Sequence, residues 1–278
     1  MKILVLGNAQ RAGVQEEADR LLPFVRQHAE IVLIDLEQKA DLNGVTADLA
    51  LVLGGDGAIL RAVRQMGYRQ TPVLGVNLGK LGFLADLTPD ELCACFPDVA
   101  QGRFRVTRHL MFECLVSGSD AVFLGLNEVV IHSAPPFRIL ELELAVDGET
   151  VSGFSGDGLI VSTPVGSTAH SLSAGGPILG QELSAFVITP ICPHALTNRP
   201  VVDTAAKTYT IHIRRAQGEA ALIIDGQVHL PVRQGQQVTI RQAPVRGELV
   251  KVPGRSYYQT LRDKLRWGTT PNYRKEDG

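Results

Sequence analysis

Cysteine is scarce in this chain: Cys93, Cys95, Cys114 and Cys192 are the only four among 278 residues. They are too few and too irregularly spaced for a disulfide framework or for a zinc site built from paired Cys-x-x-Cys units, so reduced thiols are expected. Cys93 and Cys95 fall in a helical pattern, where residues two apart point in different directions and do not chelate one ion. An excess of one charge is also lacking. Lys and Arg number 27 against 29 Asp and Glu, a formal net charge of -2. A protein that lives on nucleic-acid backbone carries a strong basic excess, so nucleic acid is not an expected partner. No run approaches the roughly 18 to 20 apolar residues needed to cross a bilayer, and no membrane partner is expected. The opening stretch Met1-Lys2-Ile3-Leu4-Val5-Leu6-Gly7 turns polar too soon for a signal-peptide core and reads as a first strand. The expected location is the cytoplasm.

What is present is ordinary globular usage, 45 % apolar and 20 % charged. A chain of this length buries roughly 70 to 75 % of its unfolded surface and has room for two domains. Up to about residue 107, short aliphatic runs alternate with amphipathic stretches. Ile3 to Leu6, Ile31 to Ile34, Leu49 to Leu53 and Val73 to Val76 read as buried parallel strands. Between them, Glu16 to Gln27 stripes Ala18, Leu21, Leu22 and Val25, and Ala58 to Met66 stripes Ile59, Leu60, Val63 and Met66. Residues 1–107 are thus expected to form an α/β domain with a parallel, Rossmann-like sheet.

Residues 108–255 read as an antiparallel β-rich domain, a sandwich. Strand-like runs at Met111 to Val116, Ala121 to Ile131, Ile139 to Val146, Gly158 to Val161, Thr208 to Ile213, Ala221 to Ile224 and Gln237 to Ile240 are separated by turn chemistry such as Asp147-Gly148 and Asp225-Gly226. Within residues 256–278, Tyr257 to Trp267 has a helical pattern. It could pack back on the first domain or frame the second.

Chemistry gathers at a few turns. The strand Leu49 to Leu53 runs into Gly54-Gly55-Asp56-Gly57, and a helix opens at Ala58. That places the turn at the carboxyl end of a parallel strand, where open α/β sheets bind ligands. The glycines let backbone N–H groups approach an anion at a helix amino terminus, so Gly54, Gly55 and Gly57 are candidates for holding phosphate. Asp56 would repel phosphate, yet it suits taking a proton from a hydroxyl beside one; capping the helix is the alternative. The turn matches neither the Walker loop nor the dinucleotide Gly-x-Gly-x-x-Gly. A second turn, Asn77-Leu78-Gly79-Lys80-Leu81-Gly82-Phe83-Leu84, stands at the same sheet edge, where Lys80 is either a phosphate partner or a solvated surface lysine. Asn127 and Glu128 sit side by side amid apolar residues, and they serve one ligand only if their strand is irregular or ends there. The long stretch of small and polar residues from Ser155 to Pro177 suits a polar ligand with many acceptors. No dedicated metal cage is visible.

On Gly54-Gly55-Asp56-Gly57, Asn77 to Leu84, Asn127-Glu128, Gly156 to Pro177, Thr189-Pro190-Ile191-Cys192-Pro193-His194 and Asp225-Gly226-Gln227, the chain resembles the bacterial NAD kinases. These segments recur in order over most of the chain. The resemblance implies phosphoryl transfer from ATP, or from polyphosphate, to the 2'-hydroxyl of the adenosine ribose of NAD, giving NADP. By the same resemblance Asp56 is the general base. Asn127 and Glu128 grip NAD, Asp157 belongs to that site, and Thr168, Ala169, His170, Ser171, Leu172 and Ser173 wrap the dinucleotide. Gly57, Arg61, Arg138, Ser155 and Gln227 fall where family members also touch it. Mg²⁺ is expected to arrive on the ATP phosphates, and homodimers or homotetramers are expected. Two positions depart from the family pattern: Ala58 where Thr is usual, and His170 where Tyr is usual. They bear on donor preference and pH response.

Overall fold

The computed structural model describes residues 1–42, 44–79, 82–85, 87–253 and 256–268. The chain opens with β1 (Lys2–Leu6), α1 (Val14–His28), β2 (Glu30–Asp35), β3 (Leu49–Leu53), α2 (Asp56–Met66), β4 (Val73–Val76) and α3 (Pro89–Ala100). The four strands are parallel, in the order β2-β1-β3-β4. Every residue of β3 is buried, because helices cover both faces. Alternation sorts the side chains: Ile3, Val5, Leu49 and Leu51 meet α1 and α3, while Leu4, Leu6, Ala50 and Val52 meet α2. The α2 stripe of Ile59, Leu60, Val63 and Met66 is buried as its spacing predicts, each side chain contributing about 1.5–3 kcal/mol. Thr88 and Glu91 close a capping box that starts α3.

Strands then dominate: β5 (Arg105–Val116), β6 (Val122–Gly125), β7 (Glu128–Ser133), β8 (Leu140–Val146), β9 (Glu149–Gly156) and β10 (Gly158–Ser162). A 3-10 turn at Gly166–Thr168 and the short α4 (His170–Ser173) follow, then β11 (Ala185–Ile191) and β12 (Val201–Thr204). The last elements are β13 (Tyr209–Arg215), β14 (Ala220–Ile224), β15 (Val228–Val232), β16 (Gln237–Lys251) and α5 (Tyr257–Leu265). An antiparallel sheet in the order β12-β11-β10-β7-β14-β15 packs across a second core of Phe112, Ile131, Leu159, Phe186, Tyr209 and Ile240. Opposite it lie β5, β8, β13 and β16. These belong to the same ten-stranded sheet as β1–β4, because β16 runs parallel to β4 at Leu249 and Val73 while pairing antiparallel with β5 and β13.

The structure corrects two strand readings. Ala121 to Ile131 is not one strand: β6 pairs with β5 in the large sheet, β7 lies in the other sheet, and the chain changes sheets at Leu126-Asn127. The cause is the Asp225 carboxylate, which accepts the N–H groups of Leu126, Asn127 and Glu128 and so takes them out of any ladder. The run read as Gln237 to Ile240 continues to Lys251 through a register shift between Gln242 and Arg246. Among the described residues, no helix is long and apolar enough to cross a membrane.

Candidate active site

The ends of β1, β3 and β4 open onto one cavity of about 560 Å³, lined by Asn8, Arg11, Gly54, Gly55, Gly57, Ala58, Arg61, Asn77, Gly79 and Gln227 among others. Gly54 stands at φ +138, a conformation an L side chain rarely adopts, and its N–H donates to the Val76 carbonyl at 2.9 Å. The turn is thereby locked to the neighbouring strand before α2 begins. The first turn of α2 leaves N–H groups without helical partners beside this cavity, an arrangement that favours an anion.

Asp56 is the first residue of α2 but does not cap it; Gly55 holds the cap position without a side-chain bond. The carboxylate is held by the segment after β4. Its Oδ2 accepts the N–H of Phe83 at 2.8 Å, and its Oδ1 accepts those of Leu84 at 3.0 Å and Ala85 at 3.1 Å. A Cβ on Gly82 would overlap Oδ1, so only glycine lets this segment close over the acid. A carboxylate offers about four acceptor positions, and three N–H groups leave one open, on Oδ2.

The turn Asp225-Gly226-Gln227 links this acid to the second half of the site. Besides binding three consecutive N–H groups through Asp225, it reaches Gly57, whose carbonyl accepts Gln227 Nε2 at 2.7 Å. Arg64, two turns beyond Asp56 on α2, donates from Nη2 to Gln227 Oε1 at 2.8 Å and brings Nη1 to 3.9 Å from Asp225 Oδ2. The Asp225 side chain is fully buried, and burial pushes its pKa up to about 6, opposed by the N–H groups it accepts. Burial also lowers the pKa of Arg64. A buried pair of this kind is costly to break singly, since the survivor is left as an unpaired charge. The resemblance named the turn but gave a role only to Gln227. Arg64 and Asp225 carry roles that the sequence does not announce, since neither an arginine within a helical stretch nor an Asp-Gly turn signals a buried partner.

Asn127 and Glu128 sit where the chain leaves one sheet for the other, the irregularity that lets neighbours serve one ligand. Asn127 Oδ1 and Glu128 Oε2 are both buried without a hydrogen-bond partner. Native interiors seldom leave such acceptors empty, and two together mark a place for donors from outside the chain. The other carboxylate oxygen, Glu128 Oε1, lies 2.7 Å from Nδ1 of His170, and this hydrogen bond raises the histidine pKa.

The rest of the loop divides. His170 and Ser173 are exposed, Ala169 and Leu172 are partly buried, and Thr168 donates to the Val165 carbonyl. Ser171 is fully buried and shares a hydrogen bond with Thr189 at 2.8 Å, so it braces the loop.

Three candidates lie elsewhere in the chain. Arg138 and Ser155 line a separate cavity of about 510 Å³ with Glu141, Arg215 and Gln217. Asp157 precedes Gly158, which pairs with His132, whereas Ser162 pairs with Glu128 at the other end of the strand. At roughly 3.4 Å per residue, about 17 Å of strand separates Asp157 from Glu128. Arg61 does line the cavity at the glycine turn; its Nη2 donates to the Gln38 carbonyl at 3.3 Å, and its Nε is buried without a partner. Lys80 lies outside the described residues. Among those residues no three His, Cys, Asp or Glu side chains gather as a metal site.

An open α/β sheet edge with a glycine–aspartate turn, tied to a β half that presents unpaired acceptors, defines a two-part nucleotide-binding protein with an acid poised at the phosphate turn. Comparison with known proteins narrows this. Residues 11–104 match the ATP-NAD kinase N-terminal domain and residues 126–252 the ATP-NAD kinase C-terminal domain. The chain is 45 % identical to an NAD kinase of Rhodopirellula baltica, over 96 % of this chain and 86 % of that one. It is 39 % identical to an NAD kinase of Geobacter sulfurreducens, over 96 % of this chain and 99 % of that one. Among solved structures, an Archaeoglobus fulgidus NAD kinase in complex with ATP superposes with a TM-score of 0.78 at 26 % identity, covering 96 % of this chain and 99 % of that one. A yeast NADH kinase complexed with NADH shares the fold, with a TM-score of 0.86 at 24 % identity and coverage of 99 % and 90 %. The chain belongs to the NAD kinase family.

Proposed function

We propose that the protein transfers the γ-phosphoryl group of ATP to the 2'-hydroxyl of the adenosine ribose of NAD, with Asp56 as general base. The observation that carries this reading is the pair of unpartnered buried acceptors, Asn127 Oδ1 and Glu128 Oε2, joined through Asp225 and Gln227 to the turn that holds Asp56. Ribose hydroxyls and amide N–H groups are the donors such acceptors require. In the transfer, the 2'-oxygen bonds to the γ-phosphorus and the bond to ADP breaks. The hydroxyl proton passes to the open position on Asp56 Oδ2.

Phosphoryl transfer asks for positioning and charge neutralisation more than covalent chemistry. The glycine turn and the amino terminus of α2 supply N–H groups for the donor phosphates, with Arg61 beside them and Lys80 assigned to the same task. Mg²⁺ bound to those phosphates would supply charge neutralisation, with the N–H groups of the glycine turn and Arg61 holding the phosphates that carry it. Polyphosphate fits the same turn as an alternative donor. Assembly as homodimers or homotetramers in the cytoplasm completes the proposal. Incubation with Mg²⁺ and NAD plus either ATP or polyphosphate, scored for NADP, tests the activity and the donor together. Folded protein that makes no NADP from either donor would end the proposal.

A further inference from the structure

The carboxy-terminal helix α5 touches both halves of the site along one face. Tyr257, Leu261 and Lys264 are spaced i, i+4, i+7 and so form one stripe, about 10 Å from first to last. Leu261, in the middle, is 3 % exposed and fixes the helix to the body of the protein.

At the start of the stripe, Tyr257 donates its hydroxyl to the Leu179 carbonyl at 3.1 Å. The N–H of the same Leu179 donates to Ser167 Oγ at 3.0 Å, and that hydroxyl donates to the Pro164 carbonyl at 2.6 Å. Ser167 lies in the 3-10 turn that leads into His170. At the end of the stripe, Lys264 Nζ stands 4.5 Å from the centroid of the Phe83 ring. The backbone N–H of that same Phe83 holds Asp56 Oδ2. One residue, Phe83, therefore separates α5 from the acid, and one, Leu179, separates it from the 166–173 loop that carries His170.

We propose that α5 is a positioning strap, with Lys264 holding the Asp56 segment and Tyr257 holding the 166–173 loop. Neither side chain reaches a reacting atom; each acts through a neighbour, Phe83 on Asp56 and Leu179 on Ser167. The inference rests on the kinase reading above and adds a division of labour to it. Loosening Phe83 misplaces the acid after substrates are bound, which lowers kcat. Loosening Leu179 frees the dinucleotide loop before binding, which raises the KM for NAD.

Two variants in the full-length chain separate these effects. Tyr257→Phe is expected to raise the KM for NAD about threefold to tenfold, the range for one lost hydrogen bond, with kcat within about twofold. Lys264→Ala is expected to lower kcat about twofold to fivefold, with the KM within about twofold, and Lys264→Arg to restore it, since a guanidinium also sits over an aromatic ring. Amide exchange provides a readout that needs no activity: Phe83, Leu84 and Ala85 should exchange faster in Lys264→Ala and unchanged in Tyr257→Phe. Exchange at those amides equal to that of the parent chain in both variants overturns the strap, whatever the kinetics. So does a Lys264→Arg chain that behaves like Lys264→Ala, or two variants that shift the same kinetic parameter. A parent chain that makes no NADP, with the exchange pattern present, removes the kinase reading and leaves the strap standing.

Discussion

Arg64 and Asp225 face each other at 3.9 Å across the junction between the α/β half and the β half. Each also holds a part of the site, Arg64 through Gln227 and Asp225 through the N–H groups of Leu126, Asn127 and Glu128. The pair couples the helix that begins at Asp56 to the residues that present the unpaired acceptors. Asp225→Ala strips three N–H groups of their acceptor and leaves Arg64 buried without its counter-charge, at a cost of about 3–5 kcal/mol. Urea unfolding of Asp225→Ala, Arg64→Met and the double variant should show the double losing less than the two singles combined. Additive losses would mean that the two residues do not act as a pair.

Asp56→Asn leaves one oxygen to accept N–H groups and places an NH₂ where the second accepted. NAD binding is expected to persist, because Asn127 and Glu128 are untouched. Turnover is expected to fall by about a hundredfold or more, the size of a lost general base. Single-turnover measurement of NADP at saturating ATP and NAD decides it, and near-parental turnover would remove Asp56 from the chemistry.

Gly82 has no catalytic group, yet a methyl there would overlap Asp56 Oδ1. Gly82→Ala must push the carboxylate or the 83–85 segment aside. We expect kcat to drop on the order of tenfold to a hundredfold, as displacements near 1 Å do, with the KM for NAD much less affected. A Gly82→Ala enzyme with parental kcat would show that the acid tolerates displacement.

The hydrogen bond to Glu128 raises the His170 pKa above its ordinary 6.5, against the opposing effect of partial burial. Below the ordinary value the ring is charged whether or not the loop is in place, and the bond to Glu128 contributes fully. As pH rises through the elevated folded value the ring loses its charge and the contribution goes with it. The KM for NAD should therefore climb as pH rises above 6.5 through the elevated folded value, and His170→Gln should flatten that climb. An identical pH profile in His170→Gln would place its origin elsewhere.

Much of this was legible in the order of residues. The strands β1–β4 and the stripes of α1 and α2 follow from period and burial, and the glycine–aspartate turn followed from its place after an all-apolar strand. The side-by-side Asn127 and Glu128 set a condition, a strand ending at that point, which the structure meets. Asp225 was not legible as a structural centre because its partners are backbone N–H groups about a hundred positions away, which no residue type announces. Arg64 was not legible because a helix stripe shows which face is apolar and not which charge is buried on it. The extent of β16 was hidden by the shift between Gln242 and Arg246, which breaks alternation without ending the strand. Periodicity could not decide where α5 packs, because its contacts reach Leu179 in one half and Phe83 in the other.

β16 has a further consequence. Since it pairs with β4 at Leu249 and Val73 and with β5 along most of its length, the two halves meet in one sheet and not only through a linker. A change at that seam is therefore felt by the half that carries the glycine turn and by the half that carries Asn127 and Glu128 together.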